Sequence, residues 1–235
     1  MLVVRRLTAL AMDGPLPTGV HDLLIELYGP AEDAWRCSDE SVAQAELFLG
    51  RSLPTVLSQY YRFAGSADFN RAEILLSPLY DIRRTTEWVT FATQDVSWQF
   101  AYRTVEQNKA DPSVWLRMSP EGRYERAVST VSVFLARLIC CNAAAGKAPF
   151  GGKARLGSSA VSNALRTHWE PIELEISGYL AFFRLDGCIA ALRPSQLVLC
   201  GRLSETVRLA AESLGVTLEE SWPVLSGGRS SSPPN

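Results

Sequence analysis

Histidine is nearly missing from this chain, and with it goes the commonest general base and a frequent metal ligand: only His21 and His168 occur in 235 residues. Neither sits in a motif. HExxH, paired cysteine ligands, EF-hand acid spacing, GxSxG and SxxK are all absent, so metal-centre and nucleophilic chemistry have no footing, and no catalytic residue, metal or cofactor is expected. No apolar run approaches the roughly 20 residues of a spanning helix, and Leu7–Met12 is too short for a signal-peptide core. The expectations are a cytoplasmic address and no membrane partner. Formal net charge is only −2, which gives no general attraction to nucleic acid or anionic lipid.

Disulfide chemistry is also poorly supplied. The five cysteines (Cys37, Cys140, Cys141, Cys188, Cys200) form an odd set without a CxxC pair, and four have apolar neighbours, where a thiol acts as a small hydrophobe. Buried, reduced thiols are expected, with Cys140 and Cys141 on two faces of one helix. What the chain does have is apolar mass. A hydrophobic fraction of 47% over 235 residues supports one large or two small domains. Charge is uneven, because residues 1–50 hold three arginines against eight acids.

Periodicity orders the chain into helices and then strands. Helical spacing runs from Thr18 to about Tyr28, stopped by Gly29 and Pro30. A second helix, capped by Ser38 or Asp39, takes Val42, Ala45, Leu47, Phe48 and Leu49 as its apolar side and ends at Gly50. A third starts near Pro54 and ends at Gly65. From Ile74 the runs ILLSPLY, EWVTFATQ, SWQFAYR and SVWLRM alternate and are rich in aromatic and β-branched residues, which predicts hairpin strands. Helical spacing returns from about Ser129 to Ala145.

Residues 146–160 (GKAPFGGKARLGSSA) lack an apolar period, and their glycines and lysines do not match GxxxxGK[ST]. They read as a Gly-rich linker or loop. A helix over Ser159–His168 then precedes the strand-like runs GYLAFFRL, CIAALRP and QLVLCGR, joined by turns at Asp186-Gly187 and Pro194-Ser195. A helix from Ser204 to Leu214 follows. The tail 226–235 is expected to be disordered.

The strands carry Trp88, Phe91, Trp98, Phe100, Tyr102 and Trp115, with Arg83, Arg84, Arg103 and Arg117 nearby. Local acids offset these arginines, and half-buried strand aromatics are mostly core, so direct nucleic-acid binding is not expected. Any of these rings left exposed would suit a protein-binding face.

The succession AELFLGRSLPTVLSQYYRFAG, LLSPLYDI, EWVTFATQDVSWQFAY, DPSVWLR and VSTVSVFLARLICCNAA resembles the SUKH superfamily, named partly for fungal cell-wall-assembly regulators. Leu49-Gly50 with Leu53-Pro54, Tyr60-Tyr61, Phe91, Trp98, Asp111-Pro112 before Val114-Trp115, and Phe134-Leu135 carry the likeness, over about residues 40–145. It implies an α+β fold with a mainly antiparallel curved sheet flanked by helices (1–145), here followed by a C-terminal β-meander plus helix (161–225). It also implies a non-catalytic immunity protein, a class in which bacterial members bind toxins, often nucleases, and occlude them. The rival of another kind is a regulatory or scaffold interaction module without a toxin partner. A third alternative is an enzyme whose scattered acids and arginines form no motif. For the toxin-binding reading, the acidic segment offers Glu32, Asp33, Asp39 and Glu40 as rim residues around Trp35 as anchor.

Overall fold

The computed structural model describes residues 16–95, 97–156, 159–172, 174 and 180–222; the expected tail at 226–235 and the apolar start lie outside them. The described residues form an α+β fold of six α-helices and two antiparallel six-stranded sheets.

Three helices come first, with bounds set by local chemistry. Helix α1 (Thr18–Tyr28) follows Pro17 and buries Val20, Leu23, Leu24 and Leu27. Helix α2 (Asp39–Leu49) is capped by Ser38, whose hydroxyl accepts from the Ser41 N–H at 3.1 Å. It ends at Gly50, where φ is 67° and the N–H returns to the Glu46 and Leu47 carbonyls. Helix α3 (Thr55–Ala64) follows Pro54 and is anchored by two fully buried phenols. The Tyr60 hydroxyl donates to Asn70 Oδ1 at 2.7 Å, and that of Tyr61 to the Ser77 carbonyl at 2.5 Å.

One detail of α2 departs from expectation. Val42, Ala45 and Leu49, spaced by three and four, form its buried stripe, whereas Leu47 and Phe48 are 80% and 81% exposed. At about 100° per residue, Leu47 falls opposite that stripe and Phe48 on its flank, so neither can share its face.

The first sheet comprises β1 (Ile74–Leu76), β2 (Arg83–Arg84), β3 (Trp88–Gln94), β4 (Trp98–Arg103), β5 (Val114–Arg117) and β6 (Glu125–Val128), in the order β1-β3-β4-β5-β6. Strand β2 pairs with β3 on the same edge as β1: Leu76 faces Ala92, and Arg83 faces Thr90. Val89, Phe91, Phe100, Tyr102, Val114 and Val128 point inward. Phe91 and Phe100 meet Phe134 of helix α4 (Val131–Asn142) at centroid distances of 5.1 and 4.8 Å.

Helix α4 is apolar nearly all round because it packs against α1, α3 and both sheets. Cys140 and Cys141 are both buried in it, as are Cys188 and Cys200 elsewhere. Its last residue, fully buried Asn142, does what a strand neighbour would do. Its amide donates to the Phe69 and Ile74 carbonyls at 2.9 and 2.7 Å, and its oxygen accepts from the Ile74 N–H at 2.8 Å. The chain then turns through Ala143–Lys147, with Gly146 at φ 99°.

The expected linker needs correction. Residues Phe150–Arg155 form strand β7, which lies between β11 (Gln196–Gly201) and β12 (Glu220–Trp222) in the second sheet. Its glycines answer to close approach. A Cβ on Gly151 would overlap the Trp222 ring, and one on Gly152 would meet the Glu220 carbonyl at 2.7 Å. The sheet order is β12-β7-β11-β10-β9-β8, with β8 Glu170–Ile172, β9 Ala181–Leu185 and β10 Cys188–Arg193. The expected meander is β9-β10-β11, and Asp186 and Gly187 turn its first hairpin at φ 45° and 81°.

Each face of this second sheet has its own core. Phe182, Ile189, Ala191, Val198 and Cys200 join the cluster that contains α1, α3, α4 and the inner face of the first sheet. On the other face, Phe183, Ala190, Leu197 and Leu199 pack with α5 (Ser159–His168) and α6 (Ser204–Ser213). The C-terminal strands therefore make a sheet of their own while sharing the central helices with the N-terminal part.

Candidate binding surfaces

The acidic segment is brought together around Trp35, but not with that ring as a free anchor. Trp35 is half-buried and stands edge-on to Tyr28 at 6.5 Å and Phe69 at 5.2 Å, so most of its apolar surface belongs to the interior. Glu32, Asp33, Asp39 and Glu40 are all exposed. Asp33 is within 3.7 Å of Arg36, while Asp39 accepts from Arg62 Nε at 2.5 Å. Asp39 and Glu40 also lie in the first turn of α2, where its dipole favours negative charge.

The same helix presents the apolar groups that Trp35 does not. Along its outward side run Glu40, Ala43, Gln44, Leu47 and Phe48, all exposed. Tyr80, 87% exposed, is carried by the turn Leu79–Asp81 that packs against α2. Arg84 Nη1 donates to the Leu49 carbonyl at 2.5 Å and ties the end of α2 to β2. One helix thus offers a carboxylate end and an apolar end. Two large hydrophobes so exposed at neighbouring positions are a poor solution for a surface with no partner.

A second surface is the outer side of the first sheet. Register places Arg83, Thr90, Ala101, Trp115 and Arg126 in one cross-strand row, with Trp88 opposite Arg103 and Gln99 opposite Arg117 beside it. Tyr124, from the β5–β6 connection, stacks on Trp88 at 4.2 Å, and Trp88 meets Trp115 edge-on at 5.6 Å. The Arg103 guanidinium lies over both tryptophans, and that of Arg117 over Tyr124. The aromatic run of the sequence is thereby divided: Phe91, Phe100 and Tyr102 are core, while Trp88 and Trp115 are half-buried on the outer face.

A third cluster joins the two halves of the chain. Glu26 of α1 accepts from the Gly187 N–H at 3.0 Å and lies 3.9 Å from Arg184, which also donates to Glu170 at 2.8 Å. Burial pushes the Glu26 carboxyl above the usual range, although the Gly187 hydrogen bond and Arg184 oppose that shift. An open groove of about 580 Å³ runs past these groups and exposed His168. Each of the three charged groups has a partner in a neighbouring element, which makes the cluster a clamp between α1 and the β9–β10 hairpin. His21 packs its ring on Phe63 at 5.3 Å, well placed for a surface contact on α1.

Among the described residues, no three His, Cys, Asp or Glu side chains are grouped to hold a metal ion. Nor is any helix among them long and apolar enough to cross a membrane. Burial raises the Cys141 and Cys188 thiols to about 12, with Cys140 and Cys200 pushed up as well, which keeps them as unreactive thiols. Comparison with known protein families, curated proteins and solved structures finds no match.

At these surfaces two features were missed in the sequence. The exposure of Leu47 and Phe48 was available from the spacing of Val42, Ala45 and Leu49 once the Ser38 cap fixed the start of the helix. Tyr124 left no trace, because its stacking on Trp88 is a tertiary contact across strands.

Proposed function

We propose that this chain is a non-catalytic immunity protein that binds a bacterial toxin domain in the cytoplasm and holds it inactive by occlusion, with α2 as the contact element. The observation that carries this reading is the outward side of α2, where exposed Leu47 and Phe48, with Tyr80 beside them, follow a carboxylate-bearing first turn. Apolar anchors in a partner's pocket supply affinity, and the acids at Asp39, Glu40, Glu32 and Asp33 steer a basic partner such as a nuclease. The SUKH resemblance points to the same role.

The test is growth rescue. The product of the neighbouring gene is expressed with this chain and with its Leu47→Ser/Phe48→Ser variant. Rescue by the native chain, lost in the variant while the variant stays folded, supports the reading. Absence of both rescue and complex removes it, and a complex with an endogenous protein instead assigns the chain to the regulatory class.

A further inference from the structure

We propose that the outer face of the first sheet is a second docking site, opposite in charge to α2, which takes an acidic segment of a protein. Five guanidinium groups, Arg83, Arg103, Arg117, Arg123 and Arg126, stand on or beside this face; Asp81 already pairs with Arg83, and Glu87, Glu121 and Glu125 are near, so the charge open to a partner is chiefly that of Arg123 and Arg126.

The arginines are held ready for planar acceptors. Arg103 lies 5.8 Å from the Trp88 centroid and 5.9 Å from that of Trp115, and Arg117 lies 5.1 Å from Tyr124. Aromatic slabs orient the forks without using their N–H donors. Arg117 gives one to Gln99 Oε1 at 2.6 Å, while its Nε and the Trp115 indole N–H end buried without an acceptor. Arg123 and Arg126 are exposed and make no ion pair among the described residues, whereas Arg83 is already near Asp81 at 3.1 Å. Between Arg83 and the pair Arg117 and Arg123 opens a groove of about 600 Å³, floored by Thr90 and Gln99 and bounded by Tyr124. A carboxylate seated there would meet the Arg123 fork, unpaired among the described residues, and the remaining N–H groups of Arg117 on one side, and compete with Asp81 for Arg83 on the other.

The same geometry disfavours nucleic acid. Trp88 and Tyr124 are stacked on each other, with Arg103 over Trp88 and Arg117 over Tyr124, which makes these two rings poor platforms for a base. A polypeptide suits the groove better, since it brings carboxylates at intervals and N–H groups that Glu87 can accept.

Fluorescence anisotropy with two labelled probes tests this: a short Asp/Glu-Gly peptide and an oligodeoxythymidylate of equal charge. The native chain is expected to bind the peptide, more weakly at high salt, and Arg117→Ala and Arg123→Ala to weaken binding about tenfold or more, as for loss of one partner of a close charge pair. Arg123 lies outside the ring stack, so its variant tests the charge without risk to the sheet. Unchanged binding by Phe48→Ser would separate this surface from α2, whatever the outcome there. The proposal is overturned if the peptide fails to bind, if the arginine variants bind it as the native chain does, if Phe48→Ser abolishes it, or if only the oligonucleotide binds.

Discussion

Asn142 is the side chain on which the junction of α4 with the first sheet turns, and its removal should be costly out of proportion to its size. It makes three hydrogen bonds in a fully buried setting, to both polar groups of Ile74 and to the Phe69 carbonyl. Asn142→Ala leaves one N–H and two C=O groups without these partners. At about 1 kcal/mol for each bond, plus the desolvation of the one donor that has no second partner, the loss is about 3–5 kcal/mol. For a chain of this size that corresponds to a fall in Tm on the order of 10 °C. Urea unfolding followed by tryptophan fluorescence measures it, with Tyr60→Phe as the comparison. That variant breaks one bond, to Asn70, and should cost about 1 kcal/mol. A loss below about 1 kcal/mol for Asn142→Ala, or no difference between the two variants, would refute the reasoning.

Three further outcomes are expected. The proton on Glu26 is held more tightly in the folded state, so its contribution to stability is fully present below pH 4.5 and fades as pH rises through its own raised value. Glu26→Gln should therefore gain on the native chain as pH increases across that window in a series of denaturant titrations, and a constant difference would contradict it. Gly151→Ala should expel the Trp222 ring and break its hydrogen bond to the Ala148 carbonyl, at a cost of about 1–3 kcal/mol and with an altered tryptophan emission; an unchanged spectrum counts against the packing. A thiol reagent should label Cys37 alone in the native protein and all five cysteines after unfolding, because the other four are buried with raised pKa; rapid native labelling of a second thiol would contradict that.

Much of the architecture is written locally. Ser38, Gly50, Pro54 and the apolar spacing of α1 to α3 fix those helices within a residue or so, and the Asp186-Gly187 turn announces the meander. Strand β7 was hidden because its glycines report contacts with Trp222 and Glu220, about 70 residues away, and a residue's long-range neighbours leave no period in its own segment. The short edge strands β8 and β12 were missed for a related reason: three residues each carry too little alternation to register. At the proposed contact surface, the charged rim was legible as composition, but which rings stay exposed was decided by packing. Trp35 is claimed by Tyr28 and Phe69, and the large apolar side chains left exposed on the same acidic segment are Leu47 and Phe48.

The most direct measurement is titration calorimetry of the neighbouring gene's purified product, the proposed toxin partner, into the native chain and into Leu47→Ser/Phe48→Ser. Truncating two central apolar anchors should raise Kd at least about thirtyfold, from a loss of about 2 kcal/mol or more, while urea midpoints stay the same. Equal affinity for the two proteins would mean that α2 is not the grasping surface.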